Sequence, residues 1–333
     1  MDINAFHIYW SPSKKERSFK AYFILTAILS ALEWKKNQQG NLTFYADRYT
    51  MDFFEKNKLC SIWDKCDNET LDREIDPKRF DANTFYAIGK FNALRHEMAP
   101  CAMIDIDLVI WKNIDEILKN NVAVFSHYEK TTPSSIWYPT KDGIQIPEGY
   151  QFSKDWDFED FALNTSFIYF NDEDLKNYFV EQGMRYMENN FIDSKRDNIG
   201  NPEILFVEQR LLRMCYKDMG VLDKCSPLID VVWGAHEGQF LNPEHRSWEF
   251  FDFDNSDIAT HTWIAKQAIE RNVLYQNYMC VRLIEKILEI DNRYYDVLKD
   301  IKEVKPYIRL LDQYLDSEGL VQNKQGSKVL YKK

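Results

Sequence analysis

Along the first 130 residues, short apolar, β-like runs alternate with stretches whose apolar positions recur every three or four residues. Residues 4–10 are strand-like, and residues 19–36 space their apolar side chains as a helix with a buried face does. Gly40 and Asn41 mark a turn, and Leu42–Ala46 reads as a second strand that closes in Asp47. A short helix is expected over 51–57, a third strand at 61–63, and a helix over 85–98 that stops before Pro100. Residues 102–111 form a strongly apolar strand interrupted by two aspartates; a short helix over 114–119 and a strand over 122–126 follow. Repeated β-α-β units predict a largely parallel sheet with helices on both faces.

The pattern changes at residues 131–160, which hold three of the ten prolines and four tryptophan or tyrosine residues, Trp137, Tyr138, Tyr150 and Trp156. A long aperiodic stretch in a compact enzyme is commonly a lid or binding loop. A strand is expected over 163–170, helices over 172–189 and 202–218, and aromatic β-like runs over 228–233 and 248–253. From Ala265 the helical period runs to about residue 315. The expected organisation is a main domain over 1–264 with a lid or acceptor loop at 131–160, a helical extension over 265–322 and a polar tail over 323–333.

Composition narrows the function classes. Aromatic residues make up 15% of the 333, which suits sites that cover sugar faces or stack on bases as well as an aromatic core. A net charge of −11 argues against a nucleic-acid partner, since that affinity comes from neutralised phosphates. The six cysteines show no C-x-x-C spacing, so they read as reduced thiols of a cytoplasmic protein and not as a zinc site. Lys14, Lys15 and Arg17 before the apolar run 21–32 mimic a targeting signal, but a strand precedes the run, no small-residue cleavage site follows, and it is too short to span a bilayer. No transmembrane segment is expected, only peripheral membrane contact through an acceptor.

Four D-x-D triplets occur, so context must choose among them. Asp155 and Asp157 lie in an acidic loop, and Asp172 and Asp174 open a helix where carboxylates favour the positive dipole end. Asp105 and Asp107 instead interrupt an apolar strand. On one strand they would point the same way with Cα atoms about 6.5 Å apart. Two buried like charges are costly unless a divalent cation sits between them or each pairs with Lys or Arg at a strand end; for the cation, hard oxygen ligands suit Mn²⁺ or Mg²⁺ with phosphate oxygens completing the shell. Asp252 and Asp254, shortly before His261, are the reserve metal pair.

The block Lys90-Phe-Asn-Ala-Leu … Ala99-Pro-Cys-Ala-Met-Ile-Asp-Ile-Asp-Leu-Val-Ile-Trp-Lys resembles the D-x-D segment of glycosyltransferases with the GT-A fold, and is most similar to a bacterial group of nucleotide-sugar transferases of polysaccharide-type gene sets. Leu42-Thr-Phe-Tyr-Ala-Asp resembles that group's second strand, Leu163-Asn-Thr-Ser-Phe its F-N-(T/A)-G strand, Val207-Glu-Gln-Arg its (D/E)-Q helix start, and Ala259-Thr-His-Thr-Trp-Ile-Ala-Lys its late H-x-x-x-x-K segment. The resemblance spans residues 3–266 and departs at Ser166, where the family often has glycine. It implies a metal-dependent hexosyltransferase with a mostly parallel α/β sheet and a nucleotide-diphosphate sugar as donor, acting on a glycan or glycolipid-type acceptor. It implies Asp105, Asp107 and His261 at the metal, Asp47, Lys90 and Lys266 with them at the nucleotide diphosphate, and Glu208, Gln209 and Asn164 around the reacting sugar.

Read without the resemblance, these residues leave alternatives. Glu208 fits a surface residue paired with Arg210 or Arg213, Lys266 a solvated helix-start lysine, and His261 a hydrogen-bonded structural residue. Gly89 beside Lys90 in mid-helix signals close approach of a ligand or of a neighbouring strand. A metal-dependent nucleotidyltransferase or phosphohydrolase also sets aspartates at strand ends, although no glycine-rich phosphate loop stands near the N-terminus. A non-catalytic carbohydrate- or nucleotide-binding protein of the same fold is the third alternative.

Overall fold

A computed structural model describes residues 2–11, 18–131, 137–192, 201–234, 239–240, 258–262 and 265–317. The strand expected over 248–253, the reserve pair Asp252 and Asp254, and the tail over 323–333 lie outside the described residues. The chain runs β1 (Asn4–Tyr9), α1 (Ala21–Asn37), β2 (Leu42–Ala46), α2 (Arg48–Lys56), β3 (Lys65–Asp67), α3 (Thr70–Glu74), α4 (Ile88–His96), β4 (Cys101–Asp105) and β5 (Leu108–Ile110). It continues through α5 (Asp115–Lys119), β6 (Ala123–Phe125), β7 (Tyr128–Lys130), β8 (Ala162–Leu163), β9 (Phe167–Phe170), α6 (Glu173–Met187) and α7 (Pro202–Leu205). A π-helical turn (Phe206–Arg210), α8 (Leu211–Asp218), β10 (Cys225–Pro227), β11 (Val232–Gly234), β12 (Gln239–Phe240), β13 (Ala259–His261), α9 (Ala265–Arg271), α10 (Val273–Ile290), α11 (Tyr294–Asp300) and α12 (Lys305–Ser317) complete it.

The fold is mixed α/β around a mostly parallel sheet in the order β10-β6-β9-β4-β1-β2-β3, in which β9 alone runs antiparallel to its neighbours. Side chains alternate between two cores. Ala5, Phe44, Ala102, Ile104 and Tyr169 face a core shared with α1, α10 and α12. Phe6, Tyr45, Cys101, Met103 and Phe170 face a second core shared with α4, α6 and α8. Helices therefore cover both faces, which is why the central strands β1, β2, β4, β6 and β9 are apolar at most positions and not only at alternate ones. No helix among the described residues is long and apolar enough to cross a membrane.

Three expected elements are corrected. Residues 61–63 are not a strand: α2 ends in a left-handed Lys58 (φ 59°), and the chain tightens into a 3-10 turn at Cys60–Ile62 that drops Ile62 and Trp63 into the core before β3. The strand expected over 102–111 breaks at a turn through Ile106 and Asp107, so Asp105 and Asp107 do not share one strand face. Beyond the turn β5 leaves the main sheet and pairs antiparallel with β13. The strand expected over 163–170 is likewise two strands, because the Asn164 side chain accepts from the Ser166 N–H (3.0 Å) and bends the backbone in an Asx turn.

The segment 137–160 has little regular structure, yet Tyr138, Tyr150 and Trp156 are buried, with Phe152 edge-on and Trp156 tilted against Phe206; Trp137 is exposed. Its aromatic side chains thus mainly join the second core.

Two glycines report close packing. A Cβ on Gly89 would stand 3.1 Å from Ile8 and Trp10, so the neighbour that approaches α4 there is strand β1. A Cβ on Gly183 in α6 would meet the buried Phe91 ring of α4 at 2.1 Å. Alanine at 183 gains about 1 kcal/mol of helix propensity but overpacks a filled core, which costs about 1–3 kcal/mol. Gly183→Ala is expected to lower stability by urea denaturation; an equal or higher midpoint would show that α4 and α6 separate freely.

Candidate active site at the carboxyl edge of the sheet

Parallel pairing brings several strand ends to one edge. Ile8 pairs with Asp105 and Tyr9 with Ala46, so Asp105 ends β4 and Asp47 follows β2 on either side of β1. Because β9 is reversed, its beginning lies at the same edge, with Phe167 opposite Ile104 and the Asp105 N–H donating to the Ser166 carbonyl (2.7 Å). Ligands of such sheets bind at this edge.

Asp105 receives the Lys90 ammonium of α4 at 2.8 Å, and the same ammonium donates to Glu208. Asp107 sits in the turn and pairs with Lys266, while His261 Nε2 stands 3.8 Å from its Oδ2. The β5–β13 register delivers that histidine: His261 lies opposite Leu108, and the Thr262 N–H and hydroxyl both donate to the Asp107 carbonyl at 3.0 and 3.1 Å. Ligand atoms of Asp105, Asp107 and His261 all lie within 4.8 Å of one another. The turn that separates the aspartates along the strand thus makes room for the histidine between two strands.

Electrostatics drives the two carboxylates apart. Burial, joined by the charges of Asp107 and Glu208, outweighs Lys90 and lifts Asp105 to about 7. Burial also acts on Asp107, but Lys266 and His261 overcome it and hold that carboxyl well below the usual range. Since burial lowers His261 to about 3, its imidazole is neutral near pH 7 and Lys266 supplies the opposing charge there. Burial works against the Lys266 ammonium, yet the Asp107 carboxylate raises its pKa. One carboxyl near neutrality beside one firmly ionised is the behaviour of an interacting pair.

Glu208 is buried and belongs to the site: Lys90 and the Thr165 hydroxyl (2.9 Å) both donate to its Oε1. The pairing with Arg210 or Arg213 open in the sequence does not form. Arg210 donates to the carbonyls of Tyr138 (2.8 Å) and Pro139, and Arg213 pairs with Asp160 (2.7 Å). The expected helix over 202–218 is interrupted here by the π-turn, a bulge frequent at functional sites. Three consecutive side chains reach three targets, with Gln209 accepting from the Tyr138 hydroxyl.

Asp47 caps α2, accepting from Thr50 N (2.9 Å), the Thr50 hydroxyl (3.1 Å) and the Ser11 N–H (3.2 Å). It lies at the correct edge with its oxygens engaged in local structure. Asn164 is buried and donates to Glu129 (2.9 Å). Not singled out from the sequence were Thr165 and the buried run Ser126, His127, Glu129, whose one available signal was a cluster of polar residues directly after the apolar β6.

Support for the turn comes from inside the core. The Trp63 indole N–H donates to His7 Nδ1 (3.2 Å), which leaves Nε2 to donate to the Ser30 hydroxyl (3.1 Å), and Ser30 donates to the Leu108 carbonyl (2.5 Å). Burial drops His7 to about 3, so this relay stays neutral and in one direction. It ties α1 and β1 to the residue after Asp107.

Two carboxylates and a neutral imidazole form a donor set that suits Mn²⁺ or Mg²⁺, and Asp105, Asp107 and His261 would hold the ion. No protein-family model matches the chain, and no curated protein matches it in sequence. Many solved structures are similar, three of them as follows. Mouse xyloside xylosyltransferase 1, in its apo form, is 14% identical over 67% of this chain and 84% of its own, with a TM-score of 0.36. The PaToxG glycosyltransferase is 13% identical over 67% and 71%, with a TM-score of 0.36. The 4-diphosphocytidyl-2C-methyl-D-erythritol synthase of Anaerococcus prevotii is 10% identical over 71% and 90%, with a TM-score of 0.34.

Two outcomes follow from the charge arrangement. Lys90→Met strands Asp105 and Glu208 against each other, and breaking a buried ion pair costs about 3–5 kcal/mol. Proton uptake relieves that repulsion, so the deficit in urea melts should be large at pH 8 and shrink toward pH 5; a pH-independent deficit would place the cost in packing. Metal ligation requires the Asp105 carboxylate, and with its pKa near 7 protons compete up to neutrality. Calorimetric Mn²⁺ affinity should fall about tenfold per pH unit below 7 and level off above it. A flat profile from pH 5.5 to 8 would remove Asp105 from the ligands.

Proposed function

We propose that this chain is a metal-dependent glycosyltransferase, moving a hexose from a nucleotide-diphosphate sugar to a glycan or glycolipid-type acceptor in polysaccharide biosynthesis. The observation that carries the reading is the convergence of Asp105, Asp107 and His261, flanked by Lys90 and Lys266, at the carboxyl edge of a mostly parallel sheet. When bound there, Mn²⁺ or Mg²⁺ supplies Lewis-acid stabilisation of the departing diphosphate.

The protein's own groups do the rest. Lys266 is a half-buried point charge that pairs with Asp107 in the ligand-free arrangement and turns to phosphate oxygens when the diphosphate arrives. Lys90 stays between Asp105 and Glu208 and fixes both carboxyl groups in direction. Glu208, backed by Thr165, and Gln209, backed by Tyr138, stand beside the reacting carbon, where a negative oxygen stabilises developing positive charge. Asp47 would face the nucleoside, with Asn164 toward the sugar. The acceptor enters from the side of residues 137–160, where Trp137 is exposed above the buried Tyr138. We assign residues 1–264 to the transferase domain, residues 265–322 to a helical extension, and the protein to the cytoplasm with peripheral contact to a membrane-borne acceptor.

Sugar release from a panel of nucleotide sugars, with and without Mn²⁺, tests the reading. Activity should appear for at least one donor, require the metal, and vanish in Asp107→Asn with the fold retained by circular dichroism. Release by the Asp107→Asn protein at the wild-type rate, or metal-dependent nucleotide binding unchanged in it, overturns the assignment.

A further inference from the structure

Beside the metal-ligating triad lies a second polar cluster, formed by Ser126, His127, Glu129, Asn164 and Ser166, all nearly inaccessible to solvent. Five polar side chains in an otherwise apolar layer are costly unless each is satisfied. Their hydrogen bonds run in one direction. The Ser166 hydroxyl donates to Ser126 Oγ (2.9 Å), and Ser126 lies 3.1 Å from His127 Nδ1. His127 Nε2 is 3.2 Å from Glu129 Oε1, and Asn164 Nδ2 donates to that same oxygen at 2.9 Å. A carboxylate can only accept, so Nε2 carries the proton, Nδ1 accepts from Ser126, and the line of donors terminates on Glu129 Oε1. Among the described residues none donates to Glu129 Oε2.

The cluster abuts the candidate active site. Asn164 precedes Thr165, which donates to Glu208, and Ser166 takes the Asp105 N–H on its carbonyl. The buried Tyr138 phenol, bonded to Gln209, is pushed up by burial and then by the charges of Glu129 and Glu208, which places both carboxylates near one ring. Glu129 is therefore a side chain 3% exposed, fixed through Oε1 by His127 and Asn164, with no donor on Oε2 among the described residues, in a cluster whose Asn164 and Ser166 flank the residue that binds Glu208.

We propose that Glu129 binds a hydroxyl group of the sugar being transferred, through Oε2; this rests on the glycosyltransferase reading above. A carboxylate repels phosphate, so the part of a nucleotide sugar that can sit against it is the neutral polyol, whose hydroxyls are donors. His127 and Asn164 act as positioning residues that aim the free oxygen. A hydrogen bond to a charged, buried acceptor discriminates strongly against ligands that cannot make it.

The test separates the sugar from the nucleotide. Calorimetry with Mn²⁺ compares UDP and GDP with UDP-glucose, UDP-galactose, UDP-N-acetylglucosamine and GDP-mannose, for the wild type, Glu129→Gln and Glu129→Asp. The preferred nucleotide sugar should lose about tenfold or more in affinity in Glu129→Gln, the increment of one charged hydrogen bond, while the diphosphate changes less than twofold. Glu129→Asp, which keeps the charge but withdraws it by one methylene, should lose less and provides the comparison if the glutamine variant does not fold. Unchanged sugar affinity, or equal losses for sugar and diphosphate, overturns the inference while leaving the transferase reading intact. A wild type that binds none of these nucleotides overturns the transferase reading and this inference with it.

Discussion

The site depends on keeping opposite charges interleaved where water is largely excluded. Glu208, Lys90 and Asp105 form one alternating row, and Asp107 and Lys266 a second. Removing a charge from water is expensive, and attraction within the row offsets that cost only while each member keeps its neighbours. The row spans the molecule: Lys90 comes from α4, Asp105 from β4, Glu208 from the π-turn and Lys266 from α9. Holding four elements from distant parts of the sequence in register is the structural task that the two apolar cores perform.

Those cores also explain how a candidate metal site can stand at an otherwise ordinary strand end. β4 stops at Asp105 because the next residues turn out of the sheet, and the Trp63–His7–Ser30 relay catches the Leu108 carbonyl as the chain re-enters a strand. At that same residue β13 pairs with β5 and presents His261 opposite Leu108. Local hydrogen bonds thus determine the spacing of donors that belong to segments more than 150 residues apart in sequence.

Much of this was legible in the residues. The apolar strands of a two-sided sheet and the aspartates interrupting one of them stand out by period and chemistry, and the ordered blocks from Leu42 to Lys266 led to Glu208 and His261, which the fold brings to the same edge. Less legible were features decided by single hydrogen bonds or by packing. An Asx turn at Asn164 splits an apparent strand, and a left-handed Lys58 converts another into a 3-10 turn. Ser166, which departs from the resembled family's glycine, has a local reason only visible in three dimensions: its hydroxyl starts the donor line that ends at Glu129. Buried aromatics in 137–160 looked like loop residues because their partners, Phe206 and Tyr186 among them, come from other elements.

The π-turn at Phe206–Arg210 bears on which changes in chain length the protein tolerates. A π-turn holds one residue more than the α-helical turn it replaces. Excising one residue there would let the segment relax into a regular α-helix, and because the extra residue is confined to that turn, α7 and α8 would keep their mutual phase and their packing in the second core. Inside the turn, fewer side chains would then share the arc that five occupy, so Glu208, Gln209 and Arg210 would not all keep their separate targets. A one-residue deletion here should therefore spare the helices on either side and disturb the side chains that reach Lys90, Tyr138 and Pro139.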